Sequence, residues 1–168
     1  MNSQTLLSNA AFYSNERVKG ANIDKEDFVS IDNMLQNKCG ITNSVTIPTG
    51  NLIAYQRGDT LVGNIRPYLQ KIWFANKDGG CSPDVLVFKS KPSNDDKFLY
   101  YSLFRDDFFI HMMKGAKGTK MPRGDKSQIM RFEIPDFDLP TQQKIASVLS
   151  ALDSKSSSTT ASTPSSNA

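Results

Sequence analysis

The segment FLYYSLFRDDFFIHMMK, residues 98 to 114, constrains the fold more than any other part of the chain. It is apolar nearly all round, and its main interruption is Arg105-Asp106-Asp107. A helix with that pattern has no polar face to turn to water, so it must be buried. The interruption predicts either one bent helix or two short ones. Asp95 or Asp96 stands where a side chain can cap the first turn, near Lys97. His111 lies inside the segment with no His or Cys close by in sequence. It reads as a core or edge residue rather than a metal ligand.

Upstream, the chain reads as short strands. FVSI (28–31), SVTIP (44–48) and NLIAY (51–55) are strand candidates, the last two separated by a Pro48-Thr49-Gly50 turn. Asp32 to Gly40 reads as a loop. Residues 57 to 75 form the strongest strand region. Asp59 to Ile65 alternates, Arg66-Pro67 breaks the ladder, and Leu69 to Ala75 resumes it. Asn76 to Gly80 reads as a turn, and Asp84 to Lys89 as a β-branched and aromatic strand. Downstream, a strand is predicted over Met130 to Ile134, then a connector from Pro135 to Pro140. Residues 141 to 155 predict a helix capped by Thr141. Ile145, Val148, Leu149 and Leu152 fall at helical spacing and make one apolar stripe. A helix this short needs a surface to pack on.

These elements predict an α/β fold of the α+β kind. A mixed, mainly antiparallel sheet carries packed helices, followed by the start of a C-terminal helix. A length of 168 residues allows one ordinary domain. The expected division is an extension over 1–20, a globular domain over 21–139, the start of a helix over 140–155 and a tail over 156–168. The tail, SSSTTASTPSSNA, buries nothing and is expected to be disordered.

Two cysteines, Cys39 and Cys81, make no disulfide scaffold and no zinc pattern. A single histidine leaves few His-based metal sites and no obvious catalytic triad. No signal peptide or membrane-length apolar run is seen, so a cytoplasmic location is expected and no membrane partner. No phosphate loop, dinucleotide fingerprint or nucleophile elbow appears.

Charge is concentrated in one place. Residues 114–131 hold six of the 20 Lys and Arg residues and one of the 17 Asp and Glu residues. That is a local +5, against −2 for the rest of the chain. Within it, KGAKGTKMPRGDK (114–126) contains Lys114, Lys117, Lys120, Arg123 and Lys126 with Gly115, Gly118, Gly124 and Pro122. Glycine and proline make it an irregular loop. Such a loop brings cations and backbone N–H groups to a polyanion. A plain solvated loop is the competing reading.

Three further patterns stand out. Asn64, Arg66 and Tyr68 fall together at the strand break. Asn and Arg pair bidentately with adenine and guanine edges, although an Arg at a strand end also pairs with acids of its own fold. Pro83-Asp84 followed by Asp95-x-Lys97 matches a metal-dependent nuclease pattern. However, Asp95 is placed where a helix cap belongs. The two Arg-Gly-Asp tripeptides, at 57–59 and 123–125, are ordinary turn chemistry.

Four segments, taken together, resemble a known family: GDTLVGNIRPYLQKIWFA (58–75), CSPDVLVFKSK (81–91), FLYYSLFRDDFFIHMMKGAKGTKMPR (98–123) and IPDFDLPTQQKIASVLSALDSK (134–155). In order and spacing, residues 28 to 155 are similar to the target-recognition domain of a type I restriction–modification specificity subunit. The resemblance implies a non-catalytic, sequence-specific binder of double-stranded DNA. The family's full subunit carries two such domains joined by long helices that pair antiparallel and set the distance between two half-sites. One recognition domain here therefore implies a half-subunit or shortened form. Implied partners are a methyltransferase subunit, a restriction/translocase subunit and a second copy or another specificity half. S-adenosylmethionine, ATP and Mg²⁺ are expected on those partners only, with no cofactor or metal on this chain.

Carried onto this sequence, the resemblance makes Lys117, Thr119, Lys120 and Arg123, with Lys114 and Lys126 beside them, the first DNA-contact candidates. Asn64, Arg66 and Tyr68 come second. The stripe Ile145, Val148, Leu149 and Leu152 is the candidate partner interface. Base-reading residues must differ between members, so they are expected in unfamiliar stretches such as Asp32 to Ser44 or Asn76 to Gly80. The rival readings are an assembly unit docking through the helix and, less favoured, a metal-dependent nuclease.

Overall fold

The computed structural model describes residues 3–166, with side chains over residues 3–153. In chain order the elements are β1 (Gln4–Leu6), α1 (Leu7–Ala10), β2 (Ala11–Tyr13), β3 (Arg17–Lys19), β4 (Phe28–Val29), β5 (Asn51–Tyr55), β6 (Thr60–Gly63), β7 (Ile72–Phe74), β8 (Gly79–Cys81) and β9 (Val85–Ser90). Then follow α2 (Asp96–Leu103), α3 (Asp106–Lys114), α4 (Lys126–Ile129), β10 (Glu133–Pro135) and α5 (Leu139–Ser166).

The strands form a four-stranded sheet of order β2-β9-β6-β7, a second of order β3-β5-β8-β4 and the pair β1-β10. Among the described pairings only β4-β8 is parallel. The mixed, mainly antiparallel α+β class read from the sequence is therefore the observed one.

Period-2 alternation sends the two faces of β6 and β9 to different cores. Val62, Leu86 and Phe88 face the helices and pack with Leu99, Leu103, Phe108 and Met112. Leu61, Val85 and Val87 face the second sheet and pack with Val29, Ile53, Tyr55 and Cys81. The first sheet is thus the middle layer, and the apolar segment 98–114 is what covers it. Burial pushes the Cys81 thiol up to about 12, which keeps it a neutral core residue.

That segment is two helices. The Asp95 carboxylate accepts from the Phe98 N–H at 2.9 Å and caps α2. The chain extends at Arg105, and Asp106 and Asp107 open α3, where its N-terminal dipole favours acids. The Lys38 ammonium pairs with Asp106 at 2.6 Å and lies over the Phe104 ring, clasping the joint. That pairing holds the Asp106 carboxyl below its usual range. His111 is an edge residue, as expected. Its Nε2 donates to the Gln128 carbonyl at 2.8 Å, and Gln128 Nε2 donates back to the His111 carbonyl at 3.0 Å.

Several elements differ from the sequence reading. Residues 1–20, read as an extension, supply β1, β2 and β3, and Leu7 and Ala10 are fully buried. Their short strands pair with β10, β9 and β5, which are distant in sequence, so no local pattern marks them. SVTIP is not a strand. The Ser44 hydroxyl donates to the Thr46 carbonyl at 3.0 Å and accepts from its N–H at 3.1 Å. Such local bonds compete with a ladder. Gly79 and Gly80, read as turn, lie in β8. A side chain at Gly79 would collide with the Asp27 carbonyl and the Tyr55 hydroxyl, so glycine serves close packing there.

Met130 to Ile134 is not one strand. The Asp125 carboxylate caps α4 by accepting from Gln128 N–H at 3.1 Å, and the strand begins only at Glu133. The cap of α5 is Asp138, whose carboxylate accepts from Thr141 N–H at 3.1 Å, rather than Thr141 itself. Pro140 therefore lies in the first turn, where its missing N–H costs nothing. The α5 backbone also continues to Ser166, where disorder was expected. Residues 167–168 of the expected tail lie outside the described residues.

Candidate nucleic-acid interface

The basic loop is a small hairpin. Lys117 N–H donates to the Arg123 carbonyl at 3.0 Å, and Arg123 N–H donates back at 2.9 Å. Gly118, at φ +103°, turns the chain at the tip. The second candidate segment is what the hairpin is laid against. Ile65 bridges Arg123. Arg66 N–H donates to the Pro122 carbonyl at 2.7 Å, and its Nε donates to the Lys120 carbonyl at 3.3 Å. Two stretches more than fifty residues apart therefore form one structure.

Asn64 fixes the base of that structure. Its Nδ2 donates to the Gly124 carbonyl at 3.2 Å, and it is only 4% exposed. A Cβ at Gly124 would stand 2.7 Å from Asn64 Oδ1, so a glycine is required for this approach. The Asn64 amide is turned into the chain and is not displayed as a base reader would be. Arg66 is exposed at φ +52°, a strained conformation for a side-chain-bearing residue.

The cations divide by partner. Arg123 pairs with Asp84 at 2.6 Å. The Lys126 ammonium lies 4.9 Å from the centre of the Tyr13 ring, whose hydroxyl donates to the Lys126 carbonyl at 3.0 Å. Lys114, Lys117 and Lys120 are exposed and make no salt bridge among the described residues. Thr119 is exposed at the tip beside them. The structure thus leaves three lysines to face an anion and holds Arg123 and Lys126 partly in place.

Two depressions flank the hairpin. A cleft of about 470 Å³ is lined by Arg66, Met121, Asp32, Gln36, Lys71 and Asp84. Lys71 donates to the Ile31 carbonyl at 2.8 Å. Burial lowers its pKa, Asp32 opposes that shift and Arg66 adds to it. Tyr68 and Lys114 line a second, mainly apolar groove with Ile110 and Met113. Tyr68 is 52% exposed and free to stack or donate from its hydroxyl.

Strand register decides which unfamiliar stretch reaches this face. Gly63 pairs with Val85, and Asn64 N–H donates to the Asp84 carbonyl at 3.0 Å. The exits of β6 and β8 therefore lie at one end of the two sheets. Asp32 to Gln36 lines the cleft at that end. Asn76 to Gly80 lies at the other end, since Gly79 pairs with Tyr55 and Phe74 with Thr60. Sequence reasoning did not single out Gln36, Lys71 or Met121. The only signal for Gln36 was its place in an unfamiliar loop, and Lys71 and Met121 carried none.

The nuclease pattern comes apart in space. Asp84 is held by Arg123, Asp95 caps α2, and Lys97 donates to the Ser150 hydroxyl at 3.0 Å. Among the described residues no cluster of three or more His, Cys, Asp or Glu side chains is placed to hold a metal ion. No helix among them is long and apolar enough to cross a membrane.

The helix α5 is stitched to the domain by Gln142, which is 2% exposed. Its Oε1 accepts from Asp95 N–H at 2.8 Å and its Nε2 donates to the Phe137 carbonyl at 2.8 Å. Ala146 completes the buried side. The predicted stripe lies off this face. Ile145 and Leu149 are half-buried, while Val148 is 61% and Leu152 57% exposed.

A family model for the type I restriction modification DNA specificity domain matches residues 7–164. The chain belongs to this family. The specificity domain is 29% identical over 91 residues to the type I restriction enzyme EcoDI specificity subunit of Escherichia coli, covering 54% of this chain and 20% of that protein. Its fold matches the HsdS subunit from Thermoanaerobacter tengcongensis with a TM-score of 0.67 at 19% identity, over 94% of this chain and 43% of that one. The S subunit from M. genitalium gives 0.61 at 19% identity, over 92% and 39%. A chain from a structure describing complex assembly and conformational transition of the type I R-M system gives 0.66 at 20% identity, over 92% and 42%. The specificity domain thus spans about a fifth of its curated relative and about two-fifths of these structural neighbours. The match begins at Leu7, in agreement with the burial of that residue in the core.

Proposed function

We propose that this specificity domain binds one half of a bipartite double-stranded DNA target and directs methyltransferase and restriction subunits to it. The observation that carries this reading is the anchored hairpin. It holds Lys117 and Lys120 rigidly outward at the end of the sheets where the loops 30–36, 64–66 and 82–84 converge. Lysines of this kind contact phosphate and set register on the duplex. Arg66, Thr119 and Tyr68 stand beside them, and Lys114 extends the positive surface along the apolar groove. Asn64 is a positioning residue under the hairpin. The domain itself performs no chemistry in this reading. S-adenosylmethionine, ATP and Mg²⁺ act on the partner subunits, and the protein works in the cytoplasm.

Methylation-site sequencing in a host carrying this gene with its neighbouring methyltransferase tests the proposal. A defined methylated motif that disappears with the gene is expected. Unchanged methylation on deletion overturns it.

Replacing Asp84 by Asn removes a negative charge from this face and frees Arg123. Low-salt DNA affinity is expected to rise a few-fold, since an exposed ion pair is worth only about 0.2–1 kcal/mol and a freed cation gains a phosphate. Mg²⁺-dependent cutting by the purified chain, lost in the same variant, is the result that favours the nuclease instead.

A second reading is supported by the exposure of Val148 and Leu152. Here α5 docks a methyltransferase subunit or a second copy, which buries the stripe Ile145, Val148, Leu149 and Leu152. Sedimentation at micromolar concentration is expected to show self-association that Val148→Asp with Leu152→Asp abolishes. A monomer at all concentrations leaves only the partner-subunit form of this reading.

A further inference from the structure

The loop between Ser44 and Pro48 presents an anomaly that the basic hairpin does not explain. Val45 is 92% exposed and Ile47 75% exposed, the most exposed large apolar side chains among the described residues. The loop is nevertheless well anchored. Ser44 and Pro48 are buried on either side of the exposed residues. The Ser44 hydroxyl bonds both the N–H and the carbonyl of Thr46. Past the loop, Gly20 N–H donates to the Gly50 carbonyl at 2.7 Å. The result is a fixed tip that holds two β-branched side chains, with few rotamers to lose, out in water.

Register places this loop at the same end of the second sheet as the candidate interface. Lys19 pairs with Asn51, and Ile53 pairs with Cys81. The Asn51 end of β5 is therefore the Ser82 end of β8. The loop thus enters β5 at the end of that sheet where the turn 82–84 carries the Asp84 that holds Arg123 of the hairpin.

We infer that Val45 and Ile47 read thymine by apolar contact with its 5-methyl group in the major groove. The inference rests on the DNA-binding reading above and assigns part of its specificity. A thymine methyl is the one apolar feature on the major-groove edge of a base pair. An apolar tip at the same end of the fold as Lys117 and Lys120 fits that feature. It fits neither phosphate nor the polar base edges. Thr46, between the two, supplies a hydroxyl that tolerates any neighbouring base.

The test uses the chain assembled with its methyltransferase and duplexes carrying the motif found by methylation sequencing. Each thymine is replaced in turn by uracil, which deletes only the methyl. One or two positions are expected to weaken binding about four-fold each, the effect of losing one buried methyl. The Val45→Ala, Ile47→Ala variant is expected to bind the thymine and uracil duplexes equally, at the weaker affinity. If no uracil position matters to the unaltered protein, or if the variant still senses the methyl, the inference fails. It also fails if the variant loses the methyltransferase in sedimentation without DNA, because the tip is then a protein contact. In these titrations the DNA-binding reading itself fails if no duplex is preferred and binding has no salt dependence. The two failures are therefore separate observations.

Discussion

Replacing Lys117 and Lys120 together by alanine is expected to weaken binding to every duplex, matched or not, by about tenfold per lysine at ~0.1 M salt. Each lysine–phosphate contact releases about 0.9 of a condensed cation, so the salt slope should flatten by about 2 in the double variant. The sequence preference should survive, because contacts to phosphate carry no base information. The two residues were chosen because they stand on the hairpin tip without an ion pair, whereas Arg123 and Lys126 are engaged by Asp84 and Tyr13. The substitutions remove no buried atoms, and the backbone bonds between Lys117 and Arg123 remain. A titration of affinity against salt checks this directly. An unchanged slope means that the hairpin is solvated surface and that DNA is held elsewhere.

Replacing Phe108 by alanine is expected to cost about 3–5 kcal/mol of stability. That is a large part of the about 5–15 kcal/mol a domain usually has. Phe108 is fully buried in α3. Its ring lies 5.1 Å from Phe132, 5.4 Å from Phe109 and 6.1 Å from Phe88, centre to centre and edge-on in each case. It therefore joins the helical layer to the middle sheet and to the segment before β10. The cavity left by alanine is bounded by rigid rings on three sides and cannot collapse easily. Urea unfolding followed by far-UV circular dichroism measures the loss. A change below about 1 kcal/mol would show that α3 is not locked to the sheet by this residue. Because α3 runs directly into the hairpin through Lys114, a partly loosened variant should also bind DNA less tightly.

The elements that could be read from the sequence are those whose cause is local. The buried pair α2 and α3, the Asp95 cap and the core strands β5, β6 and β9 follow from periodicity, capping and unavoidable burial. The basic loop was visible because charge and glycine are compositional. The missed elements depend on distant partners. β1, β2 and β3 are three-residue strands whose ladders are completed by residues 133–135, 88–90 and 51–53. SVTIP has strand composition, but the Ser44 hydroxyl takes both the N–H and the carbonyl of Thr46 at its centre.

By itself, the sequence determined the family, the α+β class and the two stretches that build the candidate interface, since these reside in composition and in motifs of fixed spacing. Only the tertiary structure decided how those stretches relate. It laid Lys117–Arg123 on Ile65–Arg66 and buried the Asn64 amide under Gly124. It neutralised Arg123 with Asp84 and left Lys117 and Lys120 outward. It also brought residues 32–36 and the Val45–Ile47 tip to the same end while sending 76–80 to the other. Which polar group faces water and which is spent inside depends on strand register and close approach between segments far apart in sequence. No local pattern along the chain encodes either.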